Sequence, residues 1–309
     1  MALYLVTGGC GFIGSHLTDA LLARGDSVRI LDDLSTGRRD NVPANVEVMV
    51  GDVADAALVR RAMAGVAGCF HLAAIASVQR SVEDWLGAHR ANLTGAIAVF
   101  DAARNAAGPN PIPVVYASSA AVYGDNADVP LAETATTRPL TAYGVDKYGC
   151  ELHGYVGWHV HRVPSTGMRF FNVYGPRQDP KSPYSGVIAI FAERIAADTE
   201  IVINGDGLQV RDFVFVEDVV RHLMAAMQDH PPVARVFNVC TGQATTVLAL
   251  AEAIGQVAGR VPKLRHGPGR PGDIRLSIGN PAAAITALGI QAKTTLVEGL
   301  RPTLAEHKR

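Results

Sequence analysis

Residues Leu3 to Gly14 read Leu-Tyr-Leu-Val-Thr-Gly-Gly-Cys-Gly-Phe-Ile-Gly, and this stretch decides the fold. An apolar run the length of one buried strand passes into glycines and then into a helix-like segment from Ser15 to Arg24. The glycines permit a tight turn, close approach of a pyrophosphate and close packing of helix on strand. The helix start adds unpaired N–H groups and a partial positive charge, which favour phosphate. Two spacings fit: Gly9-Gly11-Gly14 as GxGxxG and Gly8-Gly11-Gly14 as GxxGxxG, with Phe12 and Ile13 inside both.

The next apolar run, Val28 to Leu31, ends at Asp32, about 20 residues past the loop, where a carboxylate can accept both hydroxyls of a ribose. Asp32 and Asp33 together repel the extra phosphate of NADP. Arg38 and Arg39 stand several residues farther on and read as solvated loop charges, so NAD is the expected cofactor. Leu34, Ser35, Thr36 and Gly37 extend the candidate cofactor contacts. After the run Val46 to Val50 comes Gly51-Asp52-Val53, where Asp52 either reaches the adenine edge or stays a surface charge.

Further strands are expected at Cys69 to Leu72, Pro113 to Ala117 and Ser165 to Phe171, with helices between them at Ala56 to Met63 and Ala91 to Asn105. Apolar strands alternating with helices argue an α/β fold, a doubly wound parallel sheet of Rossmann type covered on both faces. The rhythm breaks after Phe171, and Tyr174 to Gly186 reads as a long loop. Residues 1–171 are expected to bind NAD, and 172–309 to form mainly a smaller substrate-binding cap. Asp212 to Val216 is a strand candidate that could return to the first domain.

Lys plus Arg number 28 and Asp plus Glu 29, so no basic field exists to hold a nucleic-acid backbone. Cys10, Cys69, Cys150 and Cys240 are scattered with no CxxC pair, which speaks for idle thiols in a reducing cytoplasm and against a structural metal. The start Met-Ala-Leu-Tyr lacks a charged leader, and no run of about 18 apolar residues occurs. A cytoplasmic protein with no membrane partner is expected.

Tyr143 and Lys147 are four residues apart, so on a helix they share one face. A phenol ordinarily keeps its proton to about pH 10, but a nearby ammonium and a nicotinamide cation both favour its anion. Such a phenolate can take a proton from a sugar hydroxyl while the carbon beneath gives up hydride. Ser119, at the end of an expected strand, can orient the same oxygen; Ser118 beside it reads as structural.

With these residues the chain resembles an extended short-chain dehydrogenase/reductase, and more narrowly the UDP-hexose 4-epimerase family. The likeness spans the opening glycine loop, His71-Leu72-Ala73-Ala74, the serines, Tyr143 to Lys147 and Arg169 to Gly175. It continues through Gly205 to Asp212 and Gly269 to Asp273. It implies that Leu72, Ala73, Ala74, Ala76, Asn92 and Phe171 touch the cofactor. Ser77, Asn172, Gly186 and Val187 would then line the sugar diphosphate. Arg211 and Arg270 would clamp the phosphates, and Asp273 would hold the uridine ribose. The resemblance also implies a homodimer.

Members that eliminate water carry an acidic residue after the catalytic serine or threonine; here Ala120 and Ala121 follow Ser119, which disfavours elimination. Glucose- and galactose-restricted members carry a tyrosine where Ser277 stands, and a lysine at Ala76. A small residue leaves room for a 2-acetamido group, which Gln178 and Asn172 would meet. The runs Arg177 to Pro180 and Tyr184 to Ile188 resemble the same hexosamine-accepting branch. The expected reaction is therefore C4 inversion of UDP-N-acetylglucosamine and UDP-N-acetylgalactosamine, together with UDP-glucose and UDP-galactose. The alternatives are a UDP-glucuronate 4-epimerase, another nucleotide-sugar dehydratase or decarboxylase, or a non-catalytic NAD sensor. Asp146 departs from the Ser or Thr usual at that position of YxxxK and is expected to point to solvent.

Overall fold

The computed structural model describes residues 1–106, 110–178, 186–229, 231–269 and 273–306. In its first half, β1 (Leu3–Thr7), α1 (Phe12–Ala23), β2 (Ser27–Asp32), β3 (Glu47–Val50), α2 (Ala56–Met63) and β4 (Gly68–His71) lead to two short helices, α3 (Val78–Glu83) and α4 (Trp85–His89). Then come α5 (Gly95–Arg104), β5 (Val114–Ser119), α6 (Ala142–His161) and β6 (Ser165–Phe170). The second half holds β7 (Asn172–Tyr174), α7 (Val187–Ala196), β8 (Ile201–Asn204), β9 (Val210–Arg211), β10 (Phe213–Phe215), α8 (Val216–Gln228) and β11 (Ala234–Val239). It ends with β12 (Thr245–Thr246), α9 (Val247–Ala258), β13 (Leu264–Gly267), β14 (Leu276–Ser277), α10 (Ala282–Leu288) and α11 (Leu296–Glu306).

Seven strands form one sheet in the order β3-β2-β1-β4-β5-β6-β11, every pair parallel. The order reverses between β1 and β4, where Thr7 pairs with His71. In open α/β sheets ligands bind at that switch point, outside the carboxyl ends of the strands. Apolar residues on both sides of each strand make two cores. Leu17, Leu21, Val219 and Leu223 from α1 and α8 cover one face; Val59, Met63, Val99 and Cys150 from α2, α5 and α6 cover the other.

The expected strands stand where their apolar runs put them, within two residues at each end. The helix expected over 91–105 starts differently: Arg90–Thr94 makes a π-helical turn before α5. The strand near Asp212–Val216 does not join the large sheet. It is β10, paired with β7, and the strand that does return is β11, beside β6. A third core, built on Phe191, Ile203, Phe215, Leu250 and Leu300, sits among α7, α8, α9 and α11. Among the described residues no helix is long and apolar enough to cross a membrane, and no three His, Cys, Asp or Glu cluster to hold a metal. All four cysteines are buried and unpaired.

Candidate active site

The glycine loop leaves β1 and enters α1 with no side chain capping the helix start at Gly11. Gly8 has φ +70°, and a Cβ there would lie 2.7 Å from the Ala73 nitrogen across the switch point. A Cβ at Gly14 would run into the Gly8 carbonyl oxygen. Gly9 instead faces Ile30 in the sheet, so the Gly8-Gly11-Gly14 spacing shapes the cradle. An uncapped helix start and a groove that any Cβ would fill fit a dinucleotide pyrophosphate.

Asp32 ends β2 buried, accepting from the Cys10 N–H (2.9 Å) and the Leu34 N–H (2.9 Å). Burial raises its pKa, and those two bonds work against the rise. Leu34 adopts φ +59°, a conformation costly for leucine, in the loop where a ribose would be held. Asp33 is exposed and accepts from the Ser35 N–H and hydroxyl; Thr36 is exposed, and a Cβ at Gly37 would press on Asp32. Arg39 is not a free loop charge: its guanidinium donates to the carbonyls of Val42, Pro43, Ala44 and Val46. Arg38 is exposed, as expected. Val53 is buried, and Asp52 pairs with Arg90 (3.1 Å).

Beyond β4, the Thr7 hydroxyl accepts from the Leu72 and Ala73 N–H groups and lies 2.8 Å from His71 Nδ1. With its lone pairs engaged, the hydroxyl gives its proton to Nδ1, which fixes His71 as the Nε2–H tautomer. Burial, and after it the Lys147 charge, push His71 down to about 3, so it stays neutral. Asn92 is buried in the π turn. Its Oδ1 accepts from the Ile75 N–H (2.8 Å) and its Nδ2 donates to the Ile75 carbonyl (3.3 Å). Asn92 thereby holds the loop carrying Ala74 and Ala76. Ser77 closes that loop as the buried N-cap of α3.

β5 delivers Ser119 at its carboxyl end, half-buried, with Oγ accepting from the Ala121 N–H. Thr141 caps α6, placing Tyr143 in the first turn. A Cβ at Gly144 would lie 2.8 Å from the Ala121 carbonyl oxygen, and this close approach brings the start of α6 onto the turn after Ser119. Lys147 is buried, its Nζ donating to the Ala117 carbonyl (2.9 Å) and lying 5.9 Å from the Tyr143 ring centre. Ser118 points the other way, donating to Glu151 (2.5 Å). Asp146 overturns its expectation. Its carboxylate is buried because α3 and α4 pack over that face of α6, and it accepts from His89 Nδ1 (2.8 Å).

Phe171, expected at the cofactor, is buried against Tyr123; of the residues expected at the substrate, Asn172 opens β7 half-buried. Gln178 donates to the Val173 carbonyl at 3.4 Å, and its buried Oε1 has no partner among the described residues. Gly186, the N-cap of α7 ahead of Val187, packs against it. Arg211 in β9 pairs in register with Ser277 in β14, and its guanidinium meets Asp273 at 2.5 Å. Arg270, Asp179, Pro180, Tyr184 and Ser185 lie outside the described residues. Sequence reading gave no role to Glu151 or Thr7. Glu151 continues the Tyr143, Lys147 step of four along α6, a signal that could have found it.

A glycine cradle, an acidic strand end and a Tyr/Lys pair at one sheet edge define a nucleotide-cofactor enzyme on a doubly wound sheet. The NAD-dependent epimerase/dehydratase family model matches residues 4–240, and the chain belongs to that family. A UDP-glucose 4-epimerase of Mycolicibacterium smegmatis is 37% identical over 307 residues, 97% of this chain and 96% of its own. The structure of a UDP-N-acetylglucosamine 4-epimerase from Methanobrevibacter ruminantium M1, in complex with UDP-N-acetylmuramic acid, superposes with TM-score 0.93. It is 33% identical, covering 99% of this chain and 97% of that one. A Thermotoga maritima UDP-glucose 4-epimerase with UDP-glucose gives TM-score 0.93 at 35% identity, covering 99% and 98%. The chain is thus an NAD-dependent enzyme of the isomerase class.

Proposed function

We propose that the protein inverts C4 of UDP-linked hexoses, accepting UDP-N-acetylglucosamine and UDP-N-acetylgalactosamine as well as UDP-glucose and UDP-galactose. The observation that carries this reading is that α6, bearing Tyr143 and Lys147, packs by Gly144 onto the turn that follows Ser119, at the carboxyl edge of the sheet that also holds the glycine cradle. The glycine cradle and Asp32 would hold NAD, which would supply the hydride acceptor and donor for C4. Lys147, fixed on the Ala117 carbonyl, is a buried ammonium 5.9 Å from the Tyr143 ring centre. Tyr143 removes and returns the C4 hydroxyl proton, while Ser119 orients that oxygen. Inversion requires the sugar to turn over between the two transfers, so the grip belongs on the diphosphate end. The Arg211–Asp273 pair and the start of α7 at Val187, with no side-chain cap among the described residues, support such a grip, and the sequence motif adds Arg270 to it.

No carboxylate follows Ser119, since Ala120 and Ala121 occupy the turn, which favours epimerisation over water loss. Room for an acetamido group is supported by Ser277, small and half-buried beside Arg211. The Gln178 oxygen, without a partner among the described residues, suits an amide N–H. Product NMR of the NAD-loaded protein should show C4 inversion of both acetylated and plain UDP-sugars; unchanged C4 in all of them rejects the reading. Tyr143→Phe should keep NAD and lose about 10²- to 10⁴-fold in turnover.

Residues Val145, Leu152, Tyr155, Val156 and Val160 lay an exposed apolar stripe along α6. Such a stripe on a soluble helix fits a second copy of the chain, and light scattering should report a homodimer. A monomer at micromolar concentration would remove that assignment.

A further inference from the structure

Behind the serines lies a buried network that the reaction does not touch. Glu151 and Arg169 form a two-pronged ion pair, Nε to Oε1 at 2.8 Å and Nη2 to Oε2 at 2.7 Å, with both side chains at most 6% exposed. The Ser118 hydroxyl donates to the same Oε1 (2.5 Å). Arg169 Nη1 donates to the Tyr123 hydroxyl (2.8 Å) and the Glu133 carbonyl, and its guanidinium lies 4.8 Å from the Tyr123 ring centre. Tyr123 donates to Asn238 Oδ1 (2.7 Å), which ties in β11. Burial works against the Arg169 charge, but its bonds to Glu151 more than offset that.

The placement is particular. Tyr143, Lys147 and Glu151 follow one another at steps of four on α6, and the last two each bond β5, at Ala117 and Ser118. Ser119 is therefore held from both sides: Ser118 before it on Glu151, and Tyr123 at the end of the turn after it on Arg169. Resting on the reaction read above, we propose that Glu151 and Arg169 are positioning residues: they fix α6 in register with β5, so that Tyr143 meets Ser119, and they cancel each other's charge beneath the reacting phenol.

Eight helical residues put the pair about 12 Å from Tyr143 along the axis. At the effective dielectric of a protein interior, one unpaired charge at that distance moves a titration by about one pH unit. Arg169 cannot shed its proton, so Glu151→Gln leaves a net positive charge that favours the phenolate. The other titratable neighbours do not confuse the reading. Burial, and after it Lys147, keep His71 neutral; Tyr123 and Cys150 are pushed up by burial to about 12 and 11; and Tyr116 goes higher still. The His89–Asp146 pair on the α4 side is untouched by these substitutions, and its contribution cancels between variants.

The test is a pH titration of the NAD-loaded protein by phenolate ultraviolet absorbance, each protein read against its own Tyr143→Phe counterpart, beside pH–rate profiles. Glu151→Gln should move the phenolate transition and the acid limb of kcat down by about one pH unit. Replacing both charges, E151Q with R169M, should return them to the wild-type position, because neutral replacement of a buried pair is tolerated. Ser118→Ala, which removes only the rung to β5, should lower kcat about tenfold with KM unchanged. Transitions that stay put in folded Glu151→Gln, or a Ser118→Ala protein with unaltered kcat, overturn the proposal. Should Glu151→Gln not fold, Ser118→Ala and the double variant decide it. The absorbance titration needs no sugar, so a wrong substrate assignment shows as absent turnover with the phenolate shift intact.

Discussion

Asp146 shows how one side chain departs from its sequence reading. It lies one residue before Lys147 on α6 and was expected to point to solvent. The cover over it comes from α3 and α4, more than fifty residues earlier, and a local pattern cannot announce such a neighbour. The result is a buried carboxylate with one oxygen on His89 Nδ1 and the other, Oδ2, without a hydrogen-bond partner among the described residues. A buried charge left with no partner is among the costlier defects a fold can carry. His89→Ala should therefore destabilise the protein by about 1–3 kcal/mol at pH 7, the modest range reflecting a half-exposed histidine. Urea unfolding at pH 7 reads this effect, and equal midpoints for variant and parent would show the pair to be idle.

At the scale of elements, the strands and the cofactor loop were legible because their determinants are local: apolar runs of strand length, glycines at a strand-to-helix turn, Asp32 at a strand end. The Tyr143–Lys147 face was legible for the same reason. What stayed hidden depends on contacts made at a distance. The π turn at Arg90–Thr94 is set by Asn92 bonding the Ile75 backbone, and β11 joins the sheet only through its pairing with β6. In the smaller half, strands of two residues such as β9, β12 and β14 carry too little pattern to be read. Their pairing nonetheless puts Ser277 beside Arg211, which makes β14 an element where sugar choice can be tested. Ser277→Tyr should lower kcat/KM for acetylated UDP-sugars by about 100-fold while sparing UDP-glucose within a few-fold, because a bulky ring takes the acetamido space. Steady-state rates on both sugars check this, and a parallel fall for the two would place Ser277 outside the pocket.

Across the whole molecule, packing the sheet on both faces leaves two histidines neutral inside it. His71 sits at the switch point with its Nδ1 receiving the Thr7 proton, pushed down to about 3 by burial and then by Lys147. His222, in α8 against the sheet, donates from Nδ1 to the Asp218 carbonyl (2.7 Å), and its buried Nε2 has no partner among the described residues. Burial, and after it Arg221, hold it at about 4. In the unfolded chain both titrate near 6.5. Between that value and their folded values the unfolded state binds more protons, so stability must fall as pH drops. Each histidine contributes a slope of about 1.4 kcal/mol per pH unit once the unfolded side chain is charged. Asp32 and Asp212, raised by burial, act in the opposite sense just above the ordinary carboxylate range, so the effect is cleanest toward the upper end of the window. Urea midpoints measured from pH 7 down to pH 5 should therefore decline, and His222→Gln should make the decline shallower. The two buried rings are the cause only if that substitution changes the slope; the same slope in parent and variant would assign the acid sensitivity to other groups.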